Sequence, residues 1–364
     1  MDVERPDRRL FLKKASMLAG LLAMLPTLGC SASLAQPLNE TGFAAHKQVA
    51  GSLLWKTYVR RFMHSDGRIV DTGNGGISHT EGQGSGMLFA LAFDDPRRFE
   101  QIWHWTRTHL RQADDELFAW RYDPSAAQPV TDRNNASDGD LMITWALEGA
   151  SQRWAKPEYG RQSAHLRGLI HDKLVRRYAN YTVLLPGHSG FERADHLVLN
   201  LSYWVMPALK HFARLEPAGP WRALISDGTR LLNAGRFGAW HLPPDWLALD
   251  AQGNLKPARD WPARFGFDAL RIPLYCQWAE LGELAALRAI RAYWRDWPDA
   301  PPAWVNVLDG SVAGYPLSHG GQAIRALLSH HQDSIPDTIA QDDDYYSAFL
   351  LMMTHLAETA GRQS

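Results

Sequence analysis

Residues 79–89 read HTEGQGSGMLF, in which an acidic residue is followed by three glycines and an apolar run. The pattern predicts the start of a helix, because Thr80 can serve as the N-cap and Gln83, three residues later, would complete a capping box. Glu81 in the first turn suits the positive end of the helix dipole. The glycines also leave space beside this carboxylate, so we expect them to admit a bulky ligand to Glu81.

Apolar residues at helical spacing recur along the rest of the chain. They predict eleven helices, at about 43–63, 82–94, 96–113, 137–154, 159–180, 197–214, 219–234, 264–280, 283–297, 318–332 and 343–361. Strand patterns are few, and the better ones are at 117–122 and 181–185. So many helices, joined by loops of uneven length, favour an all-α toroid of inner helices wrapped by outer ones. A globin-like or solenoid packing fits the helix count almost as well.

The composition excludes several classes of protein. The 364 residues carry 38 basic and 39 acidic side chains, and no basic stripe interleaved with aromatic residues is present, so we expect no nucleic-acid partner. Two cysteines cannot make a disulfide scaffold. The sequence shows no metal-binding constellation such as HExxH, so we expect neither a metal nor another cofactor.

The amino-terminal segment has the features of an export signal. Arg8 and Arg9 precede a short apolar run at 17–28, and a small-x-small cleavage pattern follows. This is typical of a twin-arginine signal, which predicts removal of residues 1–35 and a periplasmic or secreted protein. No run of 18 or more apolar residues occurs, so we expect no stable membrane insertion. Residues 36–364 are predicted to form a single domain.

Acidic residues recur where loops lead into helices. Asp138 and Asp140 precede one apolar helical run, and Asp268 is followed one turn later by Arg271. Each group also has a purely structural interpretation, because acidic residues stabilise helix starts and an i,i+3 pair can be an ordinary ion pair. Asp268 fits that interpretation least, since its neighbours are mostly apolar and a buried charge must be paired or used.

Two separated carboxyl groups beside a cleft are what hydrolysis of a glycosidic bond requires. One group must be protonated to donate to the leaving oxygen, and the other must be ionised to activate water or attack the sugar. The fifteen tryptophans suit the same chemistry, because aromatic faces stack on the apolar faces of sugars. Trp120 and Trp240, which lie in loop contexts, are the best candidates for such contacts.

Four sequence blocks resemble those of glycoside hydrolase family 8. They are EGQGSGM at 81–87, ASDGD at 136–140, FDALR at 267–271 and DDDYY at 342–346. Their order and spacing match the family over nearly the whole chain after the signal. The segments LLPGHSGF and LNLSYW also resemble the family's periplasmic cellulases of bacterial cellulose synthesis. The resemblance implies an (α/α)6 barrel and an inverting endo-β-1,4-glucanase.

The resemblance also implies roles for individual residues. Glu81 would be the general acid and Asp268 the general base, with Arg271 positioning the base. Asp138 matches the family aspartate that contacts the sugar at the cleavage point. The residues expected to bind substrate are Arg271, Tyr203, Tyr345, Tyr346, Trp120, Trp240 and Asp140. Ser85 stands where related cellulases usually have tyrosine, which predicts a wider site or a missing sugar contact.

The expected partners are a β-1,4-glucan and, from the resemblance, a cellulose synthase complex. Other polysaccharides, such as chitosan or mixed-linkage glucan, are alternative substrates. A polysaccharide lyase on a similar toroid is a second hypothesis, although lyases commonly use tyrosine, histidine or arginine. A weakly active or non-catalytic glucan-binding protein is a third, and the three retained carboxylates disfavour it.

Overall fold

A computed structural model describes residues 49–113, 116–329 and 334–361, with side chains from residue 53 onward. The predicted export signal at 1–35 lies outside the described residues. Within them, no helix combines the length and the apolar character needed to cross a membrane.

The described chain is mostly helical. Its helices are α1 (Val49–Phe62), α2 (Thr80–Ala92), α3 (Pro96–His109), α4 (Ser137–Arg153), α5 (Pro157–Leu174), α6 (Met206–Leu215), α7 (Trp221–Ala234), α8 (Arg271–Trp278), α9 (Ala285–Arg295), α10 (His319–Leu328) and α11 (Tyr345–Gly361). A 3₁₀ turn covers Leu201–Tyr203.

Six of these helices form a closed ring. In the order α2, α4, α6, α8, α10 and α11, each contacts the next, and α11 returns to α2. Every residue of α2 is buried, as are the first fourteen residues of α4. The other four helices are also buried over most of their length, so the six form the inner layer. The ring excludes a solenoid, whose ends do not meet.

The other helices pack outside this ring. Helix α1 lies on α11, α3 on α2, α5 on α4, α7 on α6 and α9 on α10. Each of the last four buries one stripe and exposes the rest, as a helix at a protein surface does. This arrangement of paired layers confirms the predicted (α/α)6 barrel.

Short antiparallel strands lie in the loops. They are β1 (Ser78–His79), β2 (Arg121–Tyr122), β3 (Val175–Tyr178), β4 (Tyr181–Leu184), β5 (His196–Leu199), β6 (Leu247–Asp250), β7 (Leu255–Pro257), β8 (Arg264–Phe265) and β9 (Val305–Asn306). Their pairings are β1 with β2, β3 with β4, β5 with β6 and β6 with β7, and β8 with β9.

Several predicted boundaries are wrong. The helix expected over 159–180 ends at Leu174, and the chain continues into the β3–β4 hairpin, whose two-residue turn has positive φ at Ala179 and Asn180. The helices expected from 197 and 264 begin at Met206 and Arg271, because short apolar strands precede them. Apolar spacing alone cannot distinguish such strands from the first turn of a helix.

The glycines of the HTEGQGSGMLF stretch serve helix packing. A Cβ atom at Gly84 would lie 2.7 Å from Met142 Cβ, and one at Gly86 would lie 3.0 Å from Ile69 Cγ1. On the facing helix, a Cβ atom at Gly139 would lie 2.2 Å from Thr80 Oγ1. The expectation that these glycines admit a ligand is therefore wrong for Gly84 and Gly86, because α4 and Ile69 occupy that space.

Candidate active site

The inner helices bring their amino-terminal ends to one place. Glu81 lies in the first turn of α2 and Asp138 in the first turn of α4, while Arg271 opens α8 and Tyr345 opens α11. The positive end of each helix dipole therefore points toward the same region, which suits carboxylates.

Arg271 joins the three predicted carboxylates. Its Nη1 atom donates to Glu81 Oε1 and to Asp138 Oδ2, the latter at 2.9 Å. Its Nη2 atom donates to Asp268 Oδ1 at 2.9 Å and to Ser202 Oγ at 3.1 Å. The rigid fork of a guanidinium suits such multiple bonding. The structure thus gathers Glu81, Asp138, Asp268 and Arg271 into one buried cluster, which we call the arginine–carboxylate cluster.

Accessibility differs among the three carboxylates of this cluster. The exposed fraction is 9% for Asp268, 5% for Glu81 and 1% for Asp138. Asp268 and Glu81 are therefore the two that a ligand or a water molecule reaches most readily.

Tyr203 supports the guanidinium from the loop before α6. The Arg271 Cζ atom lies 5.4 Å from the centroid of the Tyr203 ring, within the range of a cation–π contact. The 3₁₀ turn that carries Tyr203 is capped by Asn200, whose side chain accepts the backbone N–H of Ser202. Tyr203 therefore lies beside the arginine–carboxylate cluster, and its contact with substrate stays a prediction.

The start of α2 differs from the sequence prediction. The N-cap is His79, whose Nδ1 atom accepts the N–H of Gly82 at 3.1 Å. Thr80 is already helical, and its N–H donates to the carbonyl of Trp120 at 3.0 Å. Gln83 makes no capping box, because its Oε1 atom accepts the N–H of Ile69 at 2.7 Å.

His79 connects Glu81 to a second carboxylate. Its Nδ1 atom lies 3.8 Å from Glu81 Oε2, and its Nε2 atom lies 3.4 Å from Asp71 Oδ2. Because Nδ1 accepts the Gly82 N–H, the imidazole proton resides on Nε2, facing Asp71. Sequence reasoning missed both residues. A histidine two residues before the predicted acid was an available signal, whereas nothing in the sequence marked Asp71.

Asp245 holds the loop that carries Asp268. Its Oδ1 atom accepts the N–H groups of Gly266, Asp268 and Ala269 at 3.0, 3.1 and 2.8 Å. Its Oδ2 atom accepts from Arg264 Nε at 3.2 Å. Three backbone bonds to one buried oxygen fix the loop geometry, so Asp245 is a positioning residue that sequence reasoning missed.

The two tyrosines at the start of α11 both reach the site. The backbone N–H of Tyr345 donates to Thr72 Oγ1 at 3.0 Å, and burial raises the pKa of its phenol well above the usual value. The hydroxyl of Tyr346 donates to the carbonyl of Phe267, beside Asp268. The Tyr345 ring packs edge-on against that of His79, with 5.5 Å between centroids, so it lies beside the start of α2, whereas the Tyr346 phenol lies beside Asp268.

Ser85 is fully buried on α2. Its hydroxyl donates to the carbonyl of Gly82 at 3.1 Å and faces the phenols of Tyr58 and Tyr345. With 0% exposure it makes no direct contact with a ligand in this conformation. Its influence on the site therefore passes through the packing of Tyr345.

The remaining predicted residues lie apart from the cluster. Trp120 is half-buried and borders the start of α2 through the Thr80 bond, while its Nε1 atom donates to Asp132 Oδ2 at 2.7 Å. Trp240 packs on Tyr293 and donates to Asp296, neither of which belongs to the cluster.

Asp140 is fully buried one turn into α4. It accepts a hydrogen bond from Asn135 Nδ2 at 2.7 Å. Burial, together with the nearby charge of Asp138, raises the pKa of Asp140 to about 8. The structure does not bring Asp140 to Arg271, so its predicted contact with substrate stays a prediction. Across the described ranges, no three His, Cys, Asp or Glu side chains are placed to hold a metal ion together.

Known proteins resemble this chain over most of its length. The sequence model of "Glycosyl hydrolases family 8" matches residues 30–360. A probable endoglucanase of Novacetimonas hansenii is 40% identical over 326 residues, which cover 89% of this chain and 95% of that protein. An endoglucanase of Cellulomonas uda is 43% identical over 75% of this chain and 76% of its own length.

Solved structures give the same assignment. The family 8 endoglucanase Cel10 of Klebsiella pneumoniae superposes with a TM-score of 0.82 at 43% identity, covering 85% of this chain and 99% of that one. The endo-β-1,4-glucanase CMCax of Acetobacter xylinum superposes with a TM-score of 0.79 at 37% identity, covering 86% and 98%. Sequence, fold and the arrangement of the four blocks agree, and the chain belongs to family 8 of the glycosyl hydrolases.

Proposed function

We propose that this protein is an inverting endo-β-1,4-glucanase that cleaves cellulose or soluble β-glucan. The observation that carries the proposal is the sharing of one buried guanidinium by Glu81, Asp138 and Asp268. The endoglucanases of Novacetimonas, Cellulomonas and Klebsiella support it through their similarity over most of this chain.

Glu81 acts as the general acid. Three carboxyl groups share a single guanidinium, so the fully ionised cluster would carry more negative than positive charge, and a proton held on Glu81 relieves the repulsion. A glucan that enters the cleft separates Glu81 from Arg271. The acid then delivers its proton to the glycosidic oxygen as the bond from the sugar C1 to that oxygen breaks.

Asp268 acts as the general base. It is the most exposed of the three carboxylates, and both Arg271 and the loop held by Asp245 fix its position. It removes a proton from a water molecule whose oxygen attacks C1 on the face opposite the leaving group, which inverts the anomeric centre. Asp268 ends the reaction protonated and Glu81 ionised, and exchange with solvent restores both.

The other predicted residues hold the sugar. Asp138, fixed against Arg271, contacts the ring at the cleavage point and favours its distortion. Tyr203 beside Arg271 and Trp120 at the border of α2 offer aromatic surface to the sugar, and Trp240 provides a more distant contact. Tyr345 and Tyr346 lie close to the path of the attacking water.

The activity is tested by the release of reducing ends from carboxymethylcellulose. The chain from residue 36 onward should be active, and Glu81→Gln should lose several orders of magnitude in kcat because the acid cannot donate. Glu158→Gln is the matched control, since Glu158 also lies in the first turn of a helix but is exposed on α5. Equal activity in the native chain and Glu81→Gln would refute the assignment, and activity only on chitosan or mixed-linkage glucan would correct the substrate.

We also propose that the protein is exported by a twin-arginine signal and trims glucan during bacterial cellulose synthesis, in contact with the synthase complex. The support is the Arg8-Arg9 pattern and the sequence resemblance to cellulases of that process. The experiment is cell fractionation of the native chain beside Arg8→Lys/Arg9→Lys. Retention of the double variant in the cytoplasm is expected, and its normal export would contradict the signal.

A further inference from the structure

A pocket lies on the outside of the barrel, between α9 and α10. Its volume is about 640 Å³, within the range of small-molecule sites. The side chains that define it are Arg288, Arg291, Trp294, Arg295, Gln322 and Arg325. We call this the arginine pocket.

Three of its arginines share one edge of α9. Arg288, Arg291 and Arg295 are spaced i, i+3 and i+7, which places them along the same side of a helix. The apolar stripe of α9, which includes Leu287 and Ile290, is buried against the barrel. Arg325 approaches from the last turn of α10, so the two helices supply four guanidinium groups around one space.

No acidic side chain among the described residues balances the positive charge of this pocket. No described aspartate or glutamate lines it, and none of its four arginines forms an ion pair within the described residues. The chain as a whole has a formal net charge of −1, so a generally basic composition does not explain the cluster. Four positively charged side chains around one pocket repel one another, and an anion bound between them would offset that repulsion.

Part of the cluster is held in place by backbone carbonyls. Arg291 donates from Nε to the carbonyl of Leu328 at 3.1 Å and from Nη2 to that of Gly282 at 2.5 Å. Arg325 donates from Nη2 to the carbonyl of Pro298 at 2.8 Å. Side chains that are already ordered lose little conformational entropy on binding, so these two arginines form a prepared base for a ligand.

We propose that the arginine pocket binds a multivalent oxyanion, meaning a small ligand with two or more phosphate or carboxylate groups. Guanidinium groups match both kinds of group through paired hydrogen bonds. A neutral β-glucan has no charge to engage four cations, so this is not a subsite of the cleft. The pocket lies at the carboxyl end of α10, roughly 15 Å along that helix from the end where the inner helices gather their carboxylates.

The test is a calorimetric titration of the full chain with tripolyphosphate and, separately, with citrate, at low ionic strength. We expect one binding event per chain with at least one probe, and the better probe distinguishes phosphate from carboxylate ligands. Arg288→Gln/Arg295→Gln should weaken binding at least about tenfold, because charge-assisted hydrogen bonds are lost. These two side chains are exposed. Arg295 makes no hydrogen bond in the described structure and Arg288 donates only to the carbonyl of Glu283 at the surface, so the fold should persist.

The matched control is Arg97→Gln/Arg161→Gln, which removes the same charge from exposed positions on α3 and α5. It should bind the probes as the native chain does. Absence of binding, or equal weakening in both double variants, would overturn the proposal, since the latter indicates general charge attraction. Unchanged thermal unfolding of each variant verifies folding, and the single variant Arg295→Gln repeats the test if a double variant is unstable.

Discussion

At the amino ends of the inner helices three carboxylates share one arginine, whereas at the carboxyl end of α10 four arginines surround a pocket that no described acidic residue lines. The first region is buried, and its side chains are bonded to one another. The second is open to solvent, and its ordered side chains are bonded to backbone carbonyls. The helix dipoles account for part of this contrast, because Glu81 and Asp138 lie at amino ends and Arg295 and Arg325 lie in last turns. Arg288 does not follow the rule, since it lies in the first turn of α9.

We expect the largest loss of stability and activity on substitution of Arg271, which joins the three acidic residues of the arginine–carboxylate cluster. Arg271→Met would leave three buried carboxylates without their cation, so we expect a loss of about 3–5 kcal/mol in the free energy of unfolding. Activity should fall at least about a thousandfold, because acid and base lose their common support. Urea unfolding and kcat measurements check both values. Near-native activity would show that the cluster does not organise the site.

Substitution of Asp245 should change activity only by moving Asp268, because Asp245 binds the loop that carries it. Asp245→Ala removes the acceptor of three backbone N–H groups, and a displacement of Asp268 by about 1 Å would lower kcat roughly a hundredfold. Asp245→Asn keeps a carbonyl oxygen at this position and should recover much of kcat. Steady-state kinetics on a soluble glucan separate kcat from KM. Failure of the asparagine variant to recover activity would argue against a positioning role.

His79 has two contacts, the N-cap bond to Gly82 and the contact with Asp71, and two substitutions distinguish their effects. His79→Ala should lose about 1 kcal/mol of stability, because the Gly82 N–H loses its acceptor. His79→Asn should restore that stability, since asparagine is a good N-cap, but should leave kcat reduced by about tenfold through misplacement of Glu81. If His79→Asn has native kcat, the contact with Asp71 has no part in catalysis.

Asp140 makes the free energy of unfolding of the protein depend on pH. Its pKa is raised to about 8 by burial, so the folded protein holds a proton that the unfolded chain releases near pH 4. The resulting stabilisation is complete below pH 4 and is lost as the pH rises toward 8. The stability of the native chain relative to Asp140→Asn should therefore decline by a few kcal/mol over this interval and stay level above it. Denaturant unfolding at a series of pH values measures the difference, and a difference independent of pH would contradict this assignment.

The smallest change in the free energy of unfolding is expected for substitutions in the arginine pocket. Arg288→Gln/Arg295→Gln removes like charges at i,i+3 and i,i+4 from Arg291, so the free energy of unfolding should rise by about 0.5 kcal/mol at low salt. High salt should abolish the gain. A loss of stability at low salt would show that these charges are already compensated.

The sequence predicted the members of the arginine–carboxylate cluster better than it predicted the residues around them. Glu81, Asp138, Asp268 and Arg271 lie in blocks of fixed spacing, so a single chain was enough to find them. Asp245 was missed because it acts on a loop more than twenty residues later, through backbone groups that leave no sequence pattern.

The amino-terminal end of α2 and the arginine pocket also depend on tertiary packing, which the sequence does not show. Thr80 was a reasonable N-cap by residue type, but His79 occupies that role because Thr80 pairs with Trp120 across the chain. On α9 the spaced arginines are typical of a solvated helix face. Only the packing of α10, which adds Arg325, reveals a pocket.

The most direct test of the central claim is proton NMR of the first products released from cellohexaose. The account predicts that the native chain releases the α-anomer before mutarotation, and that Glu81→Gln releases neither anomer at a comparable rate. Initial release of the β-anomer would contradict the roles of Glu81 as acid and Asp268 as base, because it would require a covalent intermediate on the enzyme.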